Sequence, residues 1–80
     1  MRHSNPMESF IENLNIIRTA NGWNVRELAE HCRMTREEMS RLLNGRRKPN
    51  IDTCIDIANA LELGLHELFD PNYKNLISIS

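Results

Sequence analysis

The 80-residue chain has two cysteines, three glycines and no excess of charge, with 10 Lys+Arg against 11 Asp+Glu. Cys32 and Cys54 lie in segments of apolar period rather than in loops, so they fit a reduced pair of small hydrophobes and not a disulfide framework. No apolar run nears the roughly 20 residues of a membrane span. The opening MRHSNPMESF has no apolar h-region, so a secretory leader is not expected and the cytoplasm is. The histidines are His3, His31 and His66. His31 and Cys32 are adjacent, so on a helix their side chains diverge by about 100°, and no second close pair completes a zinc site. No Ser, His and Asp spacing suggests a triad, and no glycine-rich loop follows a strand. Neither an enzyme, a metal nor a cofactor is expected.

Repeats, low-complexity tracts and alternation of strands with helices are also missing, which leaves a single all-α domain. At this length a chain buries about 60% of its surface, enough for one core without staples. The near-neutral total conceals a segregation. Residues 33–48 hold Arg33, Arg36, Arg41, Arg46, Arg47 and Lys48 against Glu37 and Glu38, a net of +4. Residues 49–80 hold five acids against Lys74, a net of −4, and residues 1–32 come to −1. A basic block inside a neutral chain is a pattern that points to nucleic acid.

Helix signals follow one another with short gaps. Asn5, Pro6 and Glu8 open the first helix, 6–20; Phe10, Leu14 and Ile17 form its stripe, and Asn21-Gly22 ends it. Ile11 and Ile16 fall off that stripe and are expected at the surface. Asn24 to Glu27 is a capping box for a second, two-turn helix with Val25, Leu28, Ala29 and Cys32 on one face. Thr35 with Glu38 caps a third, with Met39, Leu42 and Leu43 inward. Arg36, Glu37, Ser40, Arg41 and Asn44 lie on the opposite side. Gly45 closes it before the cationic loop Arg46-Arg47-Lys48-Pro49. Asn50 caps a fourth helix, whose stripe reads Ile51, Cys54, Ile55, Ala58 and Leu61; Gly64 breaks it, and Leu65, Leu68 and Phe69 mark a fifth. The expectation is a compact bundle of five short helices. The domain covers 1–72, and 73–80 is a tail, either a dimerisation segment or disordered. Two short helices joined by three or four residues, the second with a polar face, make a helix-turn-helix.

At these residues the chain resembles the lambda-repressor and Cro type of helix-turn-helix domain, the XRE family. The family pattern T-Q-x-x-L-A is matched in register by Asn24 to Ala29. S-x-x-x-I-S-x-x-x-x-G-x-x-x-P is matched at Thr35, Met39, Ser40, Gly45 and Pro49. The closing A-x-A-L-x-[VL]-x-x-x-E-L-F is matched at Ala58, Ala60, Leu61, Leu63, Glu67, Leu68 and Phe69. Two positions depart from the pattern: Val25 replaces the usual glutamine, and Arg33 stands where the turn usually has glycine.

The resemblance implies that helix 36–44 enters the major groove of double-stranded DNA. Base contacts then fall to Arg36, Glu37, Ser40 and Arg41, since a guanidinium can bond guanine O6 and N7 together and a carboxylate suits a cytosine amino group. Phosphate contacts fall to Asn24, Thr35, Asn44, Arg46, Arg47 and Lys48, and Glu38 belongs to the cap. One module reads few base pairs, so the implied protein is a homodimeric transcriptional repressor on two half-sites. Leftover apolar residues Leu65, Tyr73, Leu76, Ile77 and Ile79 are the dimer candidates. The alternative is an interaction module on the same fold that holds a protein, such as a toxin or an anti-repressor, through Ile11, Ile16 and the tail.

Overall fold

The structure, a computed structural model, describes residues 5–78, the side chains of 76–78 aside. Six helices follow in order: α1 Pro6–Ala20, α2 Val25–His31, α3 Arg36–Leu43, α4 Ile51–Ala60, α5 Leu65–Leu68 and α6 Tyr73–Ser78. Among the described residues there is no strand. The bundle thus has one helix more than the sequence suggests, because the tail continues helically from Tyr73. Tyr73 is only 8% exposed and anchors that helix to the core.

The four longer helices begin alike. Side chains of Asn5, Asn24, Thr35 and Asn50 each accept a hydrogen bond from a first-turn amide, and Asn24 and Thr35 are answered by Glu27 and Glu38 in full capping boxes. They also end alike, in paired backbone bonds of the Schellman type. Gly22 N–H donates to Thr19 and Trp23 N–H to Arg18 after α1, and Arg33 to Glu30 with Met34 to Ala29 after α2. After α3, Gly45 donates to Leu42 and Arg46 to Arg41. After α4, Glu62 donates to Asn59 and Leu63 to Ala58. Each motif needs one left-handed residue, and these are Gly22, Arg33, Gly45 and Glu62. Helix α4 is therefore stopped by Glu62 and not by Gly64, whose φ of −74° is that of an ordinary N-cap.

The core gathers Phe10, Leu14, Leu28, Met39, Leu42, Ile57 and Leu68, all without exposed surface. Helix α2 packs chiefly on α3, while α1 reaches α3, α5 and α6, and α4 rests on α5. Phe10 stacks on Phe69 with ring centroids 5.0 Å apart. The buried Asn13 ties α1 to the far end of the bundle, its Nδ2 donating to the carbonyls of Leu68 at 2.8 Å and Asp70 at 2.9 Å.

Two apolar assignments change. Ile11 and Ile16 are half-buried and pack against the core, because α5 and α6 widen the covered side of α1 beyond a single stripe. In α4 the buried positions are Cys54, Ile57 and Ala58, leaving Ile51 59% and Ile55 41% exposed. The helix is rotated so that Ile57, absent from the expected stripe, points inward.

Candidate nucleic-acid interface

Helix α3 lies between two turns that fix its pose. Its N-terminus is set by Thr35, whose Oγ1 accepts from Glu38 N–H at 3.1 Å while Glu38 Oε1 accepts from Thr35 N–H at 2.9 Å. Met39 and Leu42 are buried against α1 and α2, which orients the opposite face outward. Arg36, Glu37, Arg41 and Asn44 are exposed on that face and Ser40 is half-buried. The structure brings these five side chains onto one surface. Asn44 caps the C-terminus, its amide donating to Ser40 and Leu42 carbonyls.

The loop after α3 departs from the pattern of the other helix ends. At α1, α2 and α4 the second residue past the cap is apolar and packs on the core: Trp23, Met34 and Leu63. At α3 that position is the exposed Arg46. The loop backbone is nevertheless held tightly, since the Arg41 carbonyl accepts from both Arg46 N–H at 2.8 Å and Arg47 N–H at 3.2 Å, and Pro49 is buried. Arg46 and Lys48 are exposed and make no ion pair among the described residues. Arg47 differs: its Nη1 donates to Glu38 Oε2 at 3.2 Å.

Glu38 thus serves the cap with one oxygen and the loop with the other. The Thr35 backbone amide above all, then the Thr35 side chain and Arg47, hold its carboxyl below the usual carboxylate range. The cap was legible from four consecutive residues; the partner nine positions away had no local signal. Asn24 is exposed at the start of α2, its Oδ1 committed to Glu27 N–H at 2.8 Å.

Other candidate residues fall elsewhere. Leu65 is half-buried and packed on the core, and Tyr73 is buried, so neither offers the free apolar face expected of a dimer contact. The side chains of Leu76 and Ile77, and all of Ile79, lie outside the described residues, as does His3. His31 stacks on Trp23 with centroids 3.9 Å apart. Among the described residues no three His, Cys, Asp or Glu group to hold a metal. Both cysteines are free and buried. No helix among those residues is long and apolar enough to cross a membrane.

Two short helices joined by a tight turn, the second presenting a polar face beside a cationic loop, define a helix-turn-helix module. The chain belongs to the helix-turn-helix family, whose model matches residues 14–68, and within it to the XRE type that its motifs resemble. Its fold is similar to that of a hypothetical transcription factor, NHTF, from Neisseria. That match has a TM-score of 0.76 at 21% identity and covers 98% of this chain and 93% of the other. No curated protein matches the chain. Membership of this family makes the chain a DNA-binding regulator by class.

Proposed function

We propose that the protein is a sequence-specific transcriptional repressor that binds double-stranded DNA as a homodimer and reads the major groove with α3. The observation that carries the reading is the exposed face Arg36, Glu37, Ser40, Arg41 and Asn44 on a helix whose other side is buried. Arg36 and Arg41 read guanine by paired bonds, Ser40 accepts several bases, and Glu37 selects for cytosine while repelling misplaced phosphate. Arg46 and Lys48 supply affinity without sequence information. Asn44, Thr35 and Asn24 add neutral contacts at the ends of α3 and α2. Support for the loop's role comes from its geometry: an apolar residue at Arg46 would follow the rule of the other three helix ends.

Selection of bound sites from a random DNA pool at physiological salt tests the reading. The expected outcome is a palindrome with half-site centres about 10 base pairs apart, the spacing that two-fold modules of this type require. A pool without enrichment would sink it. Sedimentation of the complex gives the stoichiometry, two chains per site being expected. Arg41→Ala should relax preference at one position of the consensus, whereas Lys48→Ala should weaken every sequence alike. The alternative of a module that holds a toxin or an anti-repressor loses the support it drew from Ile11 and Ile16, since both are packed on the core.

A further inference from the structure

The three loop cations are not equivalent. Arg46 and Lys48 are exposed, whereas Arg47 is half-buried and paired. Its acceptor, Glu38, lies about 130° around α3 from the centre of the Arg36 to Asn44 face, counting 100° per residue. Glu38 and Arg47 instead line a groove shared with Arg33, at the end of α2, and with Asp56 and Asn59 of α4. The Arg47 guanidinium is therefore drawn away from the surface that faces DNA in the reading above.

An exposed ion pair is weak when two long side chains must be ordered to make it. Here part of that ordering is already done by the backbone. Arg41 O holds the amides of both Arg46 and Arg47, Pro49 is buried, and Glu38 Oε1 is fixed by Thr35 N–H. The pair closes a bracket: one carboxylate joins the residue before α3 to the loop after it.

We infer that Arg47 is a positioning residue and not a phosphate contact: tied to Glu38, it folds the loop back on the first turn of α3 and sets where Arg46 and Lys48 project. This rests on the DNA-binding reading and reassigns one residue within it. The two roles differ in sign. If Arg47 contacted phosphate, releasing it from Glu38 and removing a negative charge near DNA would strengthen binding. If it positions the loop, the same change weakens binding.

The test measures affinity of the whole chain for the selected operator by fluorescence anisotropy across a salt series. Glu38→Gln retains an acceptor for the Thr35 cap. It should weaken binding by about two- to fivefold, the range of an exposed pair. Arg47→Gln should weaken it by a similar factor without changing the slope of log K against log salt. Lys48→Gln should reduce that slope by about 0.9, one phosphate contact. The double variant Glu38→Gln/Arg47→Gln should be no weaker than either single one. The melting temperature of the unbound variants should match that of the parent, separating loop placement from lost stability. Tighter binding by Glu38→Gln, or a slope reduced by about 0.9 in Arg47→Gln, would overturn the inference while leaving the regulator reading intact. A parent chain that binds no DNA would bring down both.

Discussion

Arg33 is the residue at which backbone strain can be read most directly. It closes α2 at φ 58°, as Gly22 closes α1 at 71° and Gly45 closes α3 at 74°. A side chain in the left-handed region costs about 1–2 kcal/mol. Glycine avoids that cost but gives the unfolded chain about 0.5–1 kcal/mol more entropy to lose. The difference favours glycine, so Arg33→Gly should stabilise the fold by roughly 0.5–1 kcal/mol, measured as a higher urea midpoint at unchanged slope. A lower midpoint would show that the arginine side chain contributes more than its backbone costs. Cys32 offers a test of different origin. Burial pushes its thiol up from 9.0 to about 11, and burial raises Cys54 too. A group whose folded pKa is raised contributes stability that is complete below the unfolded value and lost as pH rises through the folded one. The urea midpoint should accordingly fall between pH 9.0 and about 11, and fall less in Cys32→Ala. At neutral pH both thiols should resist alkylation until the chain unfolds.

At the scale of helices, α4 separates what local chemistry determines from what packing decides. Its start at Asn50 was legible because a side chain capping the next turn involves only neighbours. The same holds for Asn5, Asn24 and Thr35, and with these caps came the turn between α2 and α3 and the polar face of α3. The inward side of α4 was not legible, because Ile51, Cys54 and Ile55 form as good a stripe as Cys54, Ile57 and Ala58 until α5 chooses between them. Ile57→Ala should therefore cost about 2–5 kcal/mol, as a large-to-small change in a closed core does. Ile55→Ala, on a side chain already 41% exposed, should cost under about 1 kcal/mol. Equal costs in chemical denaturation would mean that the helix is phased as the sequence first suggests. Asn13 shows the same limit in a polar residue. Its bonds to Leu68 and Asp70 span more than fifty residues, and nothing adjacent to Asn13 marks it as a core donor. Continuation of the tail as α6 likewise depends on Tyr73 finding the core, which no five-residue window records.

For the whole molecule, net charge and binding charge are different quantities. A chain of net −1 is not drawn to a polyanion by its total, and any attraction must come from the block at 33–48. Of its six cations, Arg47 is paired with Glu38, Arg33 lies behind α3 in the groove toward α4, and Arg36 and Arg41 face the bases in the proposed complex. Arg46 and Lys48 then remain for phosphate, two for each chain and four for a dimer. Counterion release converts that count into a slope of about −3.6 in log K against log salt, a loss of roughly 10² in affinity between 50 and 200 mM. A single bound chain would give about half that slope, so the salt series and the sedimentation stoichiometry must agree. A slope near −5.4 would place a third cation of each chain on the backbone, and Arg47 would be the first to suspect. A slope near zero would mean that binding does not run through the phosphates at all, and the +4 block would need another explanation.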